Sequence, residues 1–252
     1  MCICVNMEMV EIIKICKLCG KEFESKSSNR KYCSKECRVN SMRNSFKEDY
    51  NIYKNGFNEV NSYIYGLILA DGCLIYDRHT KRYRITIVSK DYDILEKLKE
   101  YMGIRRKIYN QNGCYSIIYI NEDAIKFLID NGLKEQKSLD MKFPNIPNKY
   151  LWHFIRGYFD GDGSISIRKM KRYEYMRVSF TCGSIEFINE LNYILNQNKI
   201  HSNIYNESKN REKSNTKYLI ISRQNDIIKF YNLIYNNCEE YYLDRKKSKF
   251  II

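Results

Sequence analysis

Residues 64–72 read IYGLILADG, and residues 155–163 read IRGYFDGDG. Both run Gly, three larger residues, a small residue, then Asp-Gly. Gly66 and Ala70 are four apart, as are Gly157 and Gly161, so each pair lies on one face of a helix. Two such narrow faces allow helices to pack backbone to backbone, closer than the about 8–10 Å of bulkier pairs. Asp71 and Asp162 then meet at the helix C-termini, where a carboxylate opposes the negative end of the helix dipole and two carboxylates repel. Breaking a local rule twice at matched positions marks a functional site. A divalent cation relieves both costs, and magnesium (Mg2+) suits oxygen donors of this kind. Gly72 and Gly163 are expected to leave the helices in a left-handed conformation and begin strands.

Outward from these stretches the chain reads twice. The first copy has a helix ending at Asp71, strands near CLIYDR (73–78) and RYRITIVS (82–89), a helix over 91–103, strands near RRKIYN (105–110) and YSIIYI (115–120), and a helix over 122–132. The second has a helix ending at Asp162, strands over 164–169 and 176–181, a helix over 184–197, strands near 202–206 and 218–223, and a helix over 225–235. EDAIKFL echoes NDIIKFY, and LKEQKS (133–138) echoes LDRKKS (243–248), which fixes the register of the duplication. The second copy is about twelve residues longer, most simply through a mobile loop ESKNREKSNTKY at 207–218. Pro144 and Pro147, the only prolines, mark a stiff connector over 144–149 between copies at 57–143 and 150–252. The fold class is therefore α+β: a duplicated α-β-β-α-β-β-α unit with a pseudo-twofold axis, helices covering one face of each antiparallel sheet and the other face left for a partner.

Ahead of the repeats, after an extension at 1–15, Cys16, Cys19, Cys33 and Cys37 form two close pairs with the spacing of a tetrahedral zinc (Zn2+) site. Gly20 permits the turn after the first pair, and CSKECR opens a short helix holding the second. A segment of 16–38 cannot bury a core, so metal binding would supply its folding free energy. Lys21, Lys26, Arg30, Lys31, Lys35 and Arg38 surround it, and a basic linker over 39–56 follows. The whole chain carries 43 Lys and Arg against 30 Asp and Glu, a net +13, which favours a polyanionic partner. No apolar run is long enough for a membrane span, and the first residues lack the basic region of a signal peptide, so a soluble intracellular protein without a membrane partner is expected.

The two opening stretches closely resemble the signature of the LAGLIDADG homing endonucleases, and the resemblance extends over residues 57–252, including FPNIP before the second motif. It implies a monomeric, single-chain, pseudosymmetric endonuclease of the kind carried by mobile genetic elements such as introns, needing no protein partner. Its saddle of two four-stranded sheets would lie along the major groove of double-stranded DNA, and it would cut both strands across the minor groove. It further implies that Asp71 and Asp162 bind the catalytic Mg2+, helped by the carbonyls of Ala70 and Gly161. Leu69 replaces the motif's first acid in the first copy, whereas Asp160 retains it in the second. For an ammonium that offsets charge on the pentavalent phosphate, Lys137 and Lys247 are the matched candidates, with Lys134 and Lys246 as competitors.

Strand alternation places Arg82, Arg84 and Thr86 opposite Tyr83, Ile85 and Ile87. It likewise sets Ser164, Ser166 and Arg168 against Ile165 and Ile167, and Arg177 and Ser179 against Val178. These polar sets are the expected DNA-facing residues, arginines reading guanine and Lys169 and Lys171 positioning the backbone. Two other functions fit the same scaffold: an RNA maturase assisting intron splicing, and a regulator that binds DNA without cutting it. Neither needs both Asp71 and Asp162.

Overall fold

The computed structural model describes residues 12–45, 49–136, 139–169, 174–206 and 216–252. The chain divides into two compact units, Met1–Glu48 and Asp49–Ile252. In the smaller, β1 (Ile12–Ile15) pairs antiparallel with β2 (Glu22–Ser25), and α1 (Lys35–Ser45) follows. The fold of this unit thus begins before Cys16, and its helix extends well past residue 38 into the expected linker.

The larger unit starts earlier than the motif suggests. Asp49 is buried, its carboxylate held by Arg106 and by the Ile120 N–H at 2.7 Å. Tyr53 is buried as well, stacked on Phe127. Asp49 and Tyr53 therefore tie residues 49–56 into this unit. α2 (Glu59–Asp71) is started by a reciprocal cap: Asn58 Oδ1 accepts from the Asn61 N–H at 2.8 Å, and Asn61 Oδ1 from the Asn58 N–H at 2.7 Å. The Asn61 amide also donates to the carbonyls of Ile52 and Gly56, tying the lead-in to the helix.

After α2 come β3 (Gly72–Asp77), β4 (Arg82–Ser89), α3 (Tyr92–Tyr101), β5 (Tyr109–Gln111), β6 (Cys114–Tyr119) and α4 (Glu122–Asp130). A turn of 3-10 helix, Asn148–Tyr150, behind Pro147 leads into α5 (Leu151–Asp162). Then follow β7 (Gly163–Lys169), β8 (Glu174–Cys182), α6 (Ile185–Gln197), β9 (Asn203–Asn206), β10 (Lys217–Ile221), α7 (Gln224–Tyr235) and a short α8 (Asp244–Lys247). The sheets have orders β3-β4-β6-β5 and β7-β8-β10-β9, antiparallel throughout, so the duplication seen in sequence is a duplication of topology.

Three expectations are corrected. Gly72 and Gly163 have φ of −89° and −76° with ψ of 156° and 155°, extended rather than left-handed. Glycine is needed there for closeness: a Cβ on Gly72 would lie 2.6 Å from the Ile68 carbonyl oxygen, and one on Gly163 would strike the Phe159 ring. The strand near 105–110 begins only at Tyr109, because Arg106 turns its guanidinium inward to Asp49 and the Ile118 carbonyl. The inserted loop falls mostly outside the described residues, and its last two positions, Lys217 and Tyr218, already belong to β10.

The inner faces supply the core. Ile85, Ile87, Ile117 and Tyr119 line the first sheet, and Val178, Phe180, Leu219 and Ile221 the second. No helix among the described residues is long and apolar enough to cross a membrane.

Candidate active site

α2 and α5 lie against each other along their small residues. A Cβ on Gly66 would collide with the Phe154 carbonyl oxygen, and one on Gly157 with the Tyr63 carbonyl oxygen. A Cβ on Gly161 would collide with Ala70 Cβ. Peptide groups of the two helices therefore touch directly, as the four-residue spacing predicts. At the end of this seam Asp71 Oδ2 lies 3.3 Å from where a Gly161 Cβ would sit, so the carboxylate of one helix flanks the last turn of the other. Asp71 is exposed and Asp162 half-buried, and neither helix has a basic residue in its last turn to offset them.

That positive charge comes from α8. Lys246 is buried, and its Nζ donates to the carbonyls of Phe159 at 2.7 Å, Gly161 at 2.8 Å and Gly163 at 2.6 Å. The ammonium thus caps the C-terminal end of α5 around Asp162. Burial pulls Lys246 down to about 8, against the opposing influence of Asp160, Asp71 and Asp162. Lys247 instead rests its ammonium over the Tyr242 ring, 4.0 Å from the centroid, and near Cys238 Sγ. What separates the two lysines is burial: Lys246, with Leu243 before α8 and Phe250 after it, is turned into the core. Lys134 makes an exposed ion pair with Asp140, and Lys137 lies outside the described residues.

Behind Asp162 sits a buried polar cluster that sequence reading passed over. Asp160 accepts from Tyr63 Oη at 3.0 Å, Tyr235 Oη at 3.4 Å and the Leu243 N–H at 2.9 Å. Burial pushes its carboxyl up to about 6, and Lys246 opposes that. Arg156 donates to the carbonyls of Tyr241 and Ile234 and stacks over the Tyr63 ring. Burial and Arg156 together depress the adjacent His153 to about 4. The first repeat has Tyr65 and Leu69 at the positions of Arg156 and Asp160, so this cluster exists on one side only.

On the outer faces, Arg84 and Thr86 of β4 lie beside Ile75 and Cys73 of β3, with Arg82 one pair further along. Ser164, Ser166 and Arg168 of β7 lie beside Ser179, Arg177 and Tyr175 of β8. β7 ends at Lys169, and Lys171 lies outside the described residues.

In the smaller unit the sulfurs of Cys16, Cys19, Cys33 and Cys37 all lie within 4.8 Å of one another. Cys19 and Cys33 are 3.6 Å apart and Cys33 and Cys37 3.5 Å, close to the about 3.8 Å between thiolates around tetrahedral zinc with Zn–S of about 2.3 Å. Gly20 turns the first jaw at φ 73°, and Ser34 Oγ accepts from the Cys37 N–H at the start of α1. Arg30, one of the basic residues around the cysteines, uses its guanidinium on the carbonyls of Tyr32 and Cys33. Although burial opposes it, N–H donors of Cys19, Cys33 and Leu18 pull the Cys16 thiol to about 6, while its neighbours Cys37 and Cys19 push Cys33 to about 12. Four sulfurs so placed are a donor set for a soft divalent cation.

The sequence pattern of the LAGLIDADG-like domain matches residues 58–131 and again 150–235. The chain belongs to the LAGLIDADG family. It is a two-motif, single-chain member, with one match on each repeat. Among solved structures it is similar to the LAGLIDADG meganuclease I-AabMI bound to uncleaved DNA, at 13% identity and a TM-score of 0.54, over 76% of this chain and 87% of that one. It is also similar to the LAGLIDADG homing endonuclease I-GzeII in complex with its DNA target, at 12% identity and 0.51, over 71% and 84%. At such identities these LAGLIDADG structures establish the fold alone. A probable translation initiation factor IF-2 of Methanocaldococcus jannaschii is 30% identical over 167 residues, covering 62% of this chain and 13% of that longer one.

Proposed function

We propose that the protein is a site-specific homing endonuclease that makes metal-dependent double-strand breaks in DNA by phosphodiester hydrolysis, with one active site per repeat at the α2–α5 seam. Membership in the LAGLIDADG family, and a fold shared with a meganuclease and a homing endonuclease both bound to DNA, support this reading. The observation that carries it is the placement of Asp71 and Asp162 at the shared end of two helices in backbone contact, in a unit with two antiparallel four-stranded sheets that carry Arg84 and Arg177 at matched positions. Asp71 and Asp162, with the carbonyls of Ala70 and Gly161, offer the hard oxygen donors that Mg2+ takes. Bound there, the metal would activate a water and steady the leaving 3′ oxygen.

The chain's own part is positional and electrostatic. Lys246 fixes the last turn of α5, orients Asp162, and places an ammonium near both carboxylates, where it can offset charge on the phosphate. That geometry favours Lys246 over Lys247 for the role. The Gly161 carbonyl already accepts from Lys246, so Gly161 serves the metal only through its second lone pair. Arg84, Arg177 and the polar residues around them would contact DNA, and the Cys4 unit would be a structural zinc finger adding phosphate contacts. The protein would act as a monomer, since both motifs are in one chain.

The test is cleavage of a plasmid library of genome-derived inserts in magnesium by wild type, Asp71→Asn and Asp162→Asn. Defined double-strand cuts by wild type, absent in both variants, are expected. A wild type that retains a DNA or RNA fragment specifically without cutting it overturns the catalytic reading in favour of the regulator or the maturase.

A further inference from the structure

The pairing registers align the two sheets position by position, and their outer faces differ in chemistry. Cys73 pairs with Thr86 as Ser164 pairs with Ser179, and Ile75 pairs with Arg84 as Ser166 pairs with Arg177. Further along, Val88 pairs with Ser116 as Thr181 pairs with Tyr218. The central arginine is therefore common to both sheets. Around it, the first sheet has a thiol and two aliphatic side chains where the second has three hydroxyls. These groups are accessible: Val88 is 38% exposed, Cys73, Ser164 and Thr181 are exposed, and Ile75 and Ser166 are half-buried.

One polar group on the first sheet is already committed. Asp77 lies where the second sheet has Arg168, but its Oδ1 accepts from the His79 and Thr80 N–H groups at 2.9 and 3.2 Å. It closes the β3–β4 turn. At the positions of Ile75 and Val88 the difference between the faces is thus apolar against hydrogen-bonding.

We infer that the two halves read DNA by different chemistry: the first sheet, through Ile75 and Val88 beside Arg84, selects thymine by its 5-methyl group, and the second, through Ser164, Ser166 and Thr181 beside Arg177, reads bases by hydrogen bonds. The inference rests on the outer faces being the DNA interface, as proposed above. In the major groove thymine alone presents a methyl group, whereas a hydroxyl can donate to or accept from any base. An aliphatic side chain gains by covering that methyl. Set against the amino group of cytosine or adenine it leaves a buried donor unpaired, which penalises those bases. On the second face only Thr181 carries a methyl, beside a hydroxyl that can pair with a base edge, so Ser164 and Ser166 bring no preference for thymine.

The experiment selects bound duplexes from a randomised DNA pool with the full chain, using calcium to hold cleavage off. A second selection with Arg177→Ala identifies which half of the site lies under the second sheet, since base preferences relax there. Each thymine in the selected site is then replaced by deoxyuridine, which removes only the methyl and leaves the protein unchanged. Affinity is expected to fall about fourfold for each contacted thymine in the first half, the value of about 0.8 kcal/mol for one buried methyl, and to stay level under Ser164 and Ser166 in the second. Ile75→Ser should abolish the response at its position. If no sequence is enriched, the DNA-recognition reading of the sheets fails and this inference with it. If a sequence is enriched but deoxyuridine weakens both halves alike, weakens only the second, or finds no sensitive thymine in the first, the reading stands and the inference is overturned.

Discussion

Asp160 shows how one residue couples the site to the conditions around it. Its carboxyl is raised by burial from an ordinary 3.8 to about 6. Between those values the folded chain holds a proton that the unfolded chain has released, so stability falls as pH rises through the window, by about 3 kcal/mol in full. Asp160→Asn removes that slope and, by taking away a charge that supports the Lys246 ammonium, lowers Lys246 as well, which changes the wild-type-to-variant difference in the same direction. The stability of wild type relative to the variant should therefore drop between about pH 4 and about pH 7, as denaturant titrations at the two ends would show; a constant difference would refute the raised carboxyl. The seam glycines belong to the same scale. Gly66→Ala and Gly157→Ala put a methyl into a carbonyl of the facing helix, with no flexible side chain to yield. Each should cost at least about 1–3 kcal/mol in thermal or denaturant unfolding, and a neutral result would mean the helices are further apart.

At the scale of elements, alternation and helical period located the strands and helices of the two repeats apart from α8, because they pack on a shared core, but not β1 and β2 of the smaller unit. Ile85 and Ile87 against Arg84 and Thr86 is such a case. What the pattern did not carry was long-range pairing of polar groups. Arg106 reads as a basic strand residue, and only its ionic partner 57 positions earlier shortens β5. Asp160 reads as a motif acid, though its three donors come from α2, α7 and the loop before α8. α8 itself is one turn long, too short for a periodic signal, and it decides which lysine faces the site. Lys246→Met should accordingly cost more than Lys247→Met. Losing the charged donor to three carbonyls is worth about 1.5–3 kcal/mol, and amide exchange around Gly163 should quicken in the first variant only. Equal effects in the two variants would remove Lys246 from its capping role.

For the whole molecule, the division at residue 48 separates a unit held by a packed core from one held by four thiols. Because the smaller unit buries so little, removing the zinc proposed for its four thiols should unfold it while leaving 49–252 folded. Chelation by a zinc-selective agent, or Cys16→Ser, is expected to abolish the secondary-structure signal of the finger and leave the main thermal transition unmoved. A main transition that shifts with chelator would contradict the independence of the two units. Within 49–252 the halves are held together where α2 meets α5, and there the contact is peptide against peptide. Side chains come in many sizes and can be repacked, but the thickness of a helix backbone is a constant. The distance between Asp71 and Asp162 is therefore gauged by main chain, and the spacing of two cuts made by such a pair would be a fixed ruler, unaltered by substitutions elsewhere in the core.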